Sequence, residues 1–244
     1  MYFYVFVLIC ALLVLMIVQM RARRVVGRFV SYHVINLDRS PDRLAAFQAR
    51  ATAAGLPVER WRAVDTKNIT RDETVAQNVS GELWDKCVAR NRFGMIGATI
   101  SHRDLLRYLA TLPADDQDLH VVFEDDAQIP ADFLARWYAV APFIPADYDM
   151  IYFGWLFGNH HKVAGPISAA NPPWLNKGRY GNTGVNAYAV RHGALRKINE
   201  STKFSHTAFD NMMAEKATTW GIYYCTPEII PQDSNMGSTI VDVT

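Results

Sequence analysis

The chain has 244 residues, half of them hydrophobic, and a formal net charge of +1. This length suffices for one globular domain with a small appendage, and the near-neutral charge gives no indication of a nucleic-acid partner, which a basic excess usually marks. The three cysteines are too few for a disulfide framework: Cys10 lies in an apolar segment, so only Cys87 and Cys225 could pair, and nothing requires that they do.

The first 20 residues predict a membrane anchor. The run from Tyr2 to Val18 is apolar throughout and is close to the length needed to span a bilayer. No basic residue precedes it and no small-residue cleavage pattern follows it, which favours an uncleaved single-pass helix over a signal peptide. A buried core helix is the other alternative. We therefore divide the chain into an anchor (1–20), a basic juxtamembrane linker (21–30) and a globular domain (31–244).

Two sequence features give opposite indications of membrane orientation. By the positive-inside rule, the arginines after the apolar run place the globular domain on the cytoplasmic side: Arg21, Arg23, Arg24 and Arg28. Three Asn-x-Ser/Thr sequons could be glycosylated only if the domain were luminal: Asn68, Asn78 and Asn199. We give the arginines more weight because such tripeptides are common by chance.

The segment from residue 32 to residue 64 predicts a strand, a helix and a second strand. "YHVINL" (32–37) is short, apolar and rich in β-branched residues, as buried strands are. Pro41 suits the first position of a helix that would end at Gly55, and "VERWRAV" (58–64) predicts the next strand. Strand, helix and strand in this order imply a parallel pairing and an α/β fold.

The rest of the chain continues this alternation. Helices are predicted over 94–112 and 130–140, the latter capped near Asp132, and strands over 120–124 and 149–155; a strand that runs into a helix is predicted over 185–198. Residues 158–182 contain several glycines and prolines and predict a long loop. Loops of this length in a compact domain are usually functional or mobile.

Three consecutive acids, Glu124, Asp125 and Asp126, follow the strand predicted over 120–124. Ligands of open α/β sheets bind at the carboxyl ends of the strands, and hard oxygen ligands there suit Mg²⁺ or Mn²⁺. Glu124 and Asp126 would point to the same side of an extended chain, since side-chain direction repeats every two residues. The alternative is an acidic loop that merely starts the next helix favourably. The triplet by itself does not decide between the two.

Basic side chains near the first predicted helix also have two interpretations. Arg39 and Arg43 lie one helical turn apart and could hold phosphates near a positive dipole end. They could equally form surface ion pairs with Asp38 and Asp42. His102, in "SHRD", could contribute to a site or be an ordinary helix-surface residue.

The order of these motifs resembles glycosyltransferase family 25, which includes lipopolysaccharide and collagen galactosyltransferases. "VINLDRSPDR" is similar to the family's I-N-L-D-R-x-x-x-R, "WRAVD" to its A-V-D segment, "GMIGATISH" to its G-x-x-G-x-x-x-S-H helix and "VVFEDDAQI" to its E-D-D motif. "NTGVNAYAVRHGALRKI", "AFDNMM" and "PEIIPQDSNMGS" resemble its later blocks, so the resemblance covers about residues 31 to 240. Ala98 stands where many members have cysteine, and we expect this position to serve packing rather than chemistry.

The resemblance implies a GT-A type fold, an α/β nucleotide-sugar-binding domain with a central, mostly parallel sheet, over residues 31–244. It implies a nucleotide site lined by Ile35, Asn36, Leu37, Arg39, Arg43, Val64 and Asp65, and a donor pocket shaped by Gly97, Ser101 and His102. Asp126 would bind a metal directly. Glu124 would lie near the ribose or a metal-bound water, and Asp125 would also belong to the donor site.

The resemblance further implies the reaction. Similar members transfer galactose or glucose from a UDP-sugar with inversion, which here implies Mn²⁺ or Mg²⁺ as cofactor and a glycan, lipid-linked glycan or glycoprotein as acceptor. Inversion by a single displacement needs a carboxylate that deprotonates the acceptor hydroxyl. Asp210, in "HTAFDNMM", is the candidate, and we expect it to share a helical face with His206. The alternative is that Asp210 only caps a helix.

Other functions have weaker support. Nucleotidyl or phosphoryl transfer would ordinarily use a glycine-rich phosphate loop, and the sequence contains neither a P-loop nor G-x-G-x-x-G. A membrane-tethered sugar-binding module, or a degenerate transferase without turnover, is the non-enzymatic alternative. In the 158–182 loop, aromatic and histidine side chains would suit contact with an acceptor sugar: His160, His161, Trp174 and Tyr180.

Overall fold

The structure is a computed structural model that describes Leu13 and residues 26–67, 69–156, 174–177 and 183–233. Apart from Leu13, the predicted anchor lies outside the described residues, as do Asn68 and most of the predicted 158–182 loop. No helix in the described ranges is both long enough and apolar enough to cross a membrane. The anchor and its orientation stay predictions.

The described residues form an α/β fold around one sheet, as predicted. The strands are β1 (Phe29–Asn36), β2 (Glu59–Arg62), β3 (Leu119–Glu124), β4 (Met150–Leu156), β5 (Trp174–Lys177), β6 (Thr183–Arg191) and β7 (Ile222–Thr226). The α-helices are α1 (Pro41–Ala53), α2 (Arg71–Ala76), α3 (Gly81–Ala89), α4 (Gly94–Leu109), α5 (Phe133–Val140), α6 (Leu195–Ser201) and α7 (Phe209–Lys216). The seven strands lie side by side in the order β2-β1-β3-β6-β4-β7-β5.

The prediction of a mostly parallel sheet is wrong, because the sheet is mixed. β1 runs parallel to β2 and to β3, and β4 runs parallel to β7. β6 is antiparallel to both of its neighbours, β3 and β4, and β5 is antiparallel to β7. Hydrophobic periodicity indicates that a segment is a strand but carries no information on the direction in which it enters the sheet.

Helices cover both faces of the sheet, and β3 shows the consequence for sequence. Val121 and Phe123 face a cluster that includes residues of α1 and α5, whereas Val122 faces a cluster that includes residues of α4, α6 and α7. A strand buried on both faces reads as a continuous apolar run instead of an alternating one. The segment before the three acids therefore lies in the middle of the domain, and the acids emerge at its edge.

Several short helices and strands were not predicted from the sequence. The helices α2 and α3 and the strands β5 and β7 were not expected, and β5 lies within the predicted loop over 158–182. The signals were local: Thr70 and Glu73 form a reciprocal capping box at α2, and Ser80 caps α3. Asp132 lies at the N-cap of α5 as expected, but its carboxylate accepts a hydrogen bond from Arg136 and does not cap the helix.

Two sequence features have structural roles. Cys87 and Cys225 are both buried free thiols and pack in different apolar clusters, so the disulfide left open by the sequence is not formed. The side-chain amide of Asn199 donates a hydrogen bond to the Leu106 carbonyl of α4 over 3.2 Å.

His120, at the start of β3, makes the stability of the domain depend on pH. The buried ring bonds through Nδ1 to the Ser31 hydroxyl (2.8 Å) and through Nε2 to Nδ1 of His192 (3.0 Å). Burial, reinforced by His192 and His33 and opposed by Asp118, lowers the pKa of His120 to about 4. Because the unfolded histidine titrates near pH 6.5, the unfolded chain binds more protons below that pH, and stability falls with pH towards 4.

We therefore expect His120 to remove about 2 kcal/mol of unfolding free energy between pH 7 and pH 5. Urea unfolding of the wild type and of His120→Asn at both pH values measures this contribution. The difference between the two pH slopes gives the contribution of His120 together with its coupling to His33 and His192. Equal slopes would contradict the assignment.

Candidate functional site

A cleft opens where the parallel strands β1, β2 and β3 end. The amino-terminal half of α4 forms a further wall, and Gln232, near the end of the described chain, closes one side. The residues predicted for the donor or metal that line this cleft are Ile35, Asn36, Leu37, Arg39, Arg43, Val64, Asp65, His102, Glu124, Asp125 and Asp126. The carboxyl ends of adjacent parallel strands meet at one edge of the sheet, so segments distant in sequence converge here.

Gly97 and Ser101, also predicted for the donor pocket, support the cleft wall from behind. The Ser101 hydroxyl accepts a hydrogen bond from the Val64 N–H (2.8 Å) and donates one to the Gly97 carbonyl (2.6 Å). A Cβ on Gly97 would lie 2.4 Å from the Val64 carbonyl oxygen, closer than atoms can approach. The missing side chain thus lets α4 pack directly on the segment that follows β2.

Sequence reasoning missed five residues of the cleft: Ala63, Thr66, Gly94, Ala98 and Gln232. Ala98 lies in the cleft wall, and the expectation that it serves packing rather than chemistry stays a prediction. Gly94, Ala98 and His102 are spaced four residues apart and share one face of α4. Applying this spacing to His102 would have found the other two positions.

Asp125, which follows β3, links that strand to the end of β1 and to α1. Its carboxylate accepts hydrogen bonds from the Asn36 amide (2.7 Å) and from Nε of Arg43 (2.7 Å). The Arg43 guanidinium also reaches Oδ2 of Asp126 over 3.2 Å, and both ion pairs are largely buried. Arg43 therefore forms no surface pair with Asp42 but compensates the charge of two acids, and Asp125 is positioned as a structural residue of the cleft.

Arg39 lies at the rim. Its Nε donates to Asp65 over 2.9 Å, and both side chains are about 40% exposed (41% and 40%). Asp38, the other partner considered, pairs instead with Arg60 and Arg62, both at 2.6 Å. Exposed pairs of this kind contribute little to stability and exchange partners readily.

The negative charge of Asp126 is unfavourable in the cleft, because the carboxylate is buried and lies near another acid. Its Oδ2 accepts hydrogen bonds from Gln232 (2.9 Å) and Arg43 (3.2 Å), whereas its buried Oδ1 has no hydrogen-bond partner among the described residues. Burial, reinforced by Glu124, raises the pKa of Asp126 to about 6. A buried carboxylate oxygen without a partner is costly unless a ligand completes it.

His102 is buried and links Glu124 to the core, so the surface-residue interpretation is wrong. Its Nε2 lies 3.1 Å from Oε1 of Glu124, and its Nδ1 lies 3.0 Å from the Tyr188 hydroxyl. The ring stacks on Phe209, with centroids 5.0 Å apart and planes inclined by 8°. The Glu124 side chain stays one-quarter exposed (25%) to the cleft.

The acids at the end of β3 fit a divalent cation that shares its coordination with a ligand. Within the described ranges, no three His, Cys, Asp or Glu side chains converge into a metal site. Mg²⁺ and Mn²⁺, however, are commonly held by one or two carboxylates together with substrate phosphates. Oδ1 of Asp126 and the carboxylate of Glu124 are hard donors of this kind.

Asp210 lies outside the cleft lining. Its Oδ1 accepts the Asn211 N–H (2.8 Å), and its Oδ2 accepts the Gly184 N–H at the start of β6 (3.2 Å). The expected helical face shared with His206 is wrong, because α7 begins at Phe209 and His206 pairs with Glu215 over 3.0 Å. Asp210 as the base stays a prediction, since these contacts also suit the helix-end role.

The acceptor candidates are mostly outside the described residues. This holds for His160, His161 and Tyr180, whereas Trp174 begins β5, where its backbone pairs with Thr226. The predicted acceptor contacts therefore stay predictions.

Comparison with protein families places the cleft within a known family. A family model described as glycosyltransferase family 25 (LPS biosynthesis protein) matches residues 29–213, which is more than half of the chain. No protein with a curated description matches the sequence. The matched range contains every cleft residue named above except Gln232.

Proposed function

The chain belongs to glycosyltransferase family 25, and we propose that it moves galactose or glucose from a UDP donor to a glycan, lipid-linked glycan or glycoprotein acceptor, with inversion at the anomeric carbon. The observation that supports this most is the cleft at the ends of β1, β2 and β3, where Asp126 has a buried oxygen that no described residue hydrogen-bonds. We further propose that the domain is of the GT-A type and is held at the membrane by its N-terminal segment.

The donor's diphosphate would lie among the cleft's cationic and backbone groups. Arg39 is suited to phosphate because its exposed partner Asp65 can be replaced by a stronger anion. Arg43 is engaged with Asp125 and Asp126, so its role is to hold these acids in place. The donor site would thus combine acids that Arg43 holds in place with an exposed arginine, Arg39, that can change its partner.

Asp126, with Glu124, would hold Mn²⁺ or Mg²⁺. When bound, such a cation stabilises the negative charge that develops on the departing diphosphate. Gln232 and Arg43 fix Oδ2 of Asp126, which leaves Oδ1 as the oxygen oriented for a ligand.

In the proposed displacement, the acceptor hydroxyl oxygen bonds to the anomeric carbon while the bond from that carbon to the UDP oxygen breaks. The hydroxyl proton passes to a carboxylate, for which Asp210 is our candidate. The N–H groups of Gly184 and Asn211 would fix its orientation.

We expect Asp210→Asn to lower kcat about 100-fold, with little change in UDP binding, because an amide cannot accept the proton. Steady-state kinetics and UDP titration separate the two effects. Glu215→Gln is the matched control, since Glu215 also lies on α7 but pairs with exposed His206. An Asp210→Asn variant that keeps the wild-type kcat would show that Asp210 is not the base.

The function is tested with the full-length chain in detergent, using UDP-galactose and UDP-glucose with glycan acceptors, with Mn²⁺ and with a chelator. We expect one donor to be turned over and the chelator to abolish turnover. Cation-dependent UDP binding without turnover of either donor would instead support the sugar-binding or degenerate module.

A further inference from the structure

A buried hydrogen-bond chain runs from β6 through α4 to the edge of the cleft. It joins the Tyr188 hydroxyl, the two ring nitrogens of His102 and Oε1 of Glu124, with distances of 3.0 and 3.1 Å. Tyr188 and His102 are both fully buried, and Tyr188 does not line the cleft. We propose that Tyr188 is a positioning residue: it fixes the tautomer of His102 and thereby the orientation of Glu124 towards the donor.

The chemistry of the three side chains determines which atom donates and which accepts in each of the two hydrogen bonds. A carboxylate only accepts hydrogen bonds, so the bond to Glu124 requires a proton on Nε2 of His102. A neutral imidazole then has a bare Nδ1, which needs a donor, and the Tyr188 hydroxyl is the group in contact with it. Burial raises the pKa of Tyr188 well above its ordinary value, so the phenol keeps the proton that it donates.

Sheet register makes this chain rigid. Tyr188 pairs with Val122 across β6 and β3, and Val122 precedes Glu124 by two residues on the same face of β3. His102 is held between them by its stacking on Phe209. With the ring position fixed by packing, its tautomer decides whether Glu124 is offered a donor or a second acceptor.

The positioning role rests on the proposed function, because it assumes that Glu124 contacts the donor or its cation. Hydrogen-bond partners one step behind a ligating group commonly change affinity 10- to 100-fold when they are removed. In this chain His102 holds that place and Tyr188 lies one step further back, so we expect Tyr188→Phe to weaken cation-dependent UDP binding by up to about tenfold, the lower end of this range.

The tautomer itself is tested by ¹⁵N NMR of histidine-labelled full-length protein, with His102 assigned from the signal lost in His102→Gln. We expect a protonated Nε2 and a bare Nδ1 in the wild type, and a mixture of tautomers in Tyr188→Phe. Tyr152→Phe is the matched control: it removes a hydroxyl from a fully buried ring of the same cluster, 6.0 Å from the Tyr188 ring. We expect it to leave the His102 signals and UDP affinity unchanged.

The outcomes separate the two proposals. A wild-type His102 protonated on Nδ1, or on both nitrogens, would overturn the positioning role even in a chain that binds UDP. So would a Tyr188→Phe variant with wild-type signals and wild-type UDP affinity. A wild-type chain that binds no UDP would overturn the proposed function and, with it, the role of Tyr188 in donor binding, whatever the tautomer.

Discussion

Replacing Asp126 with asparagine is expected to abolish cation-dependent UDP binding and yet to stabilise the folded domain at pH 8. Asparagine has nearly the same shape and can still accept the Gln232 hydrogen bond, so packing is preserved. It lacks the negative charge that a divalent cation needs. Functional residues that are electrostatically unfavourable in the free protein commonly show this opposition between stability and activity.

The sign of the stability effect follows from the raised pKa. Asp126 titrates at about 6 in the folded protein and near 3.8 in the unfolded chain. The protonated carboxyl therefore contributes stability below pH 3.8, and this contribution is lost as the pH rises through 6. Above pH 7 the buried charge costs about 3 kcal/mol, which asparagine removes.

Urea unfolding in a chelator, at pH 8 and at pH 4, together with Mn²⁺-dependent UDP titration, tests both effects. We expect the variant to gain stability at pH 8 and to match the wild type more closely at pH 4. Asp65→Asn is the control, because Asp65 lies in the same cleft but is 40% exposed. Retained cation-dependent UDP binding in Asp126→Asn would remove Asp126 from the metal site.

Replacing Arg43 with alanine is expected to destabilise the fold by about 3–5 kcal/mol, the usual effect of removing one partner of a buried ion pair. The Arg43 side chain is 15% exposed and its partners Asp125 and Asp126 are 10% and 9% exposed. Without the guanidinium, two nearly buried carboxylates lose their bonded cation. Glu124, the neighbouring acid, adds to their repulsion.

Arg39→Ala provides the matched comparison for Arg43→Ala. It removes the same side chain from the same cleft and changes the net charge equally, but its ion pair with Asp65 is about 40% exposed (41% and 40%). We expect a loss below about 1 kcal/mol. Urea unfolding of both variants at pH 7 measures the difference. Similar losses would mean that burial of the Arg43 pairs is not what stabilises the cleft.

The parts of the site that could be predicted depend on neighbours in sequence. The start of α1, marked by Pro41, and its end before Gly55, whose φ is +69°, follow from local preferences, and so does the acidic end of β3. Such signals made Arg43 and Glu124 candidates for a site at this edge, whereas Asn36 was placed there by the resemblance to the family; all three line the cleft. The α/β class came from the same reasoning.

The parts that could not be predicted depend on which segments become neighbours in space. Tyr188 contacts His102 from 86 residues away, and Gln232 contacts Asp126 from 106 residues away. Both contacts follow from the placement of β6 beside β3 and from the return of the chain after β7. No periodicity or spacing records these pairings, and for that reason Tyr188 and Gln232 were missed.

Residues 231–233, which close one side of the cleft, also determine the stage of synthesis at which the cleft is complete. Gln128 donates its backbone N–H to Pro231 over 2.8 Å, and Asp233 donates to the Asp126 carbonyl over 2.9 Å, so residues 231–233 join the acids last in chain order. During synthesis, a growing chain with β1 to β3 complete still lacks this wall and leaves Asp126 without Gln232. Contacts of such long sequence separation require the closure of a long loop, which costs conformational entropy. Donor binding would therefore report completion of the whole domain and not of its amino-terminal half.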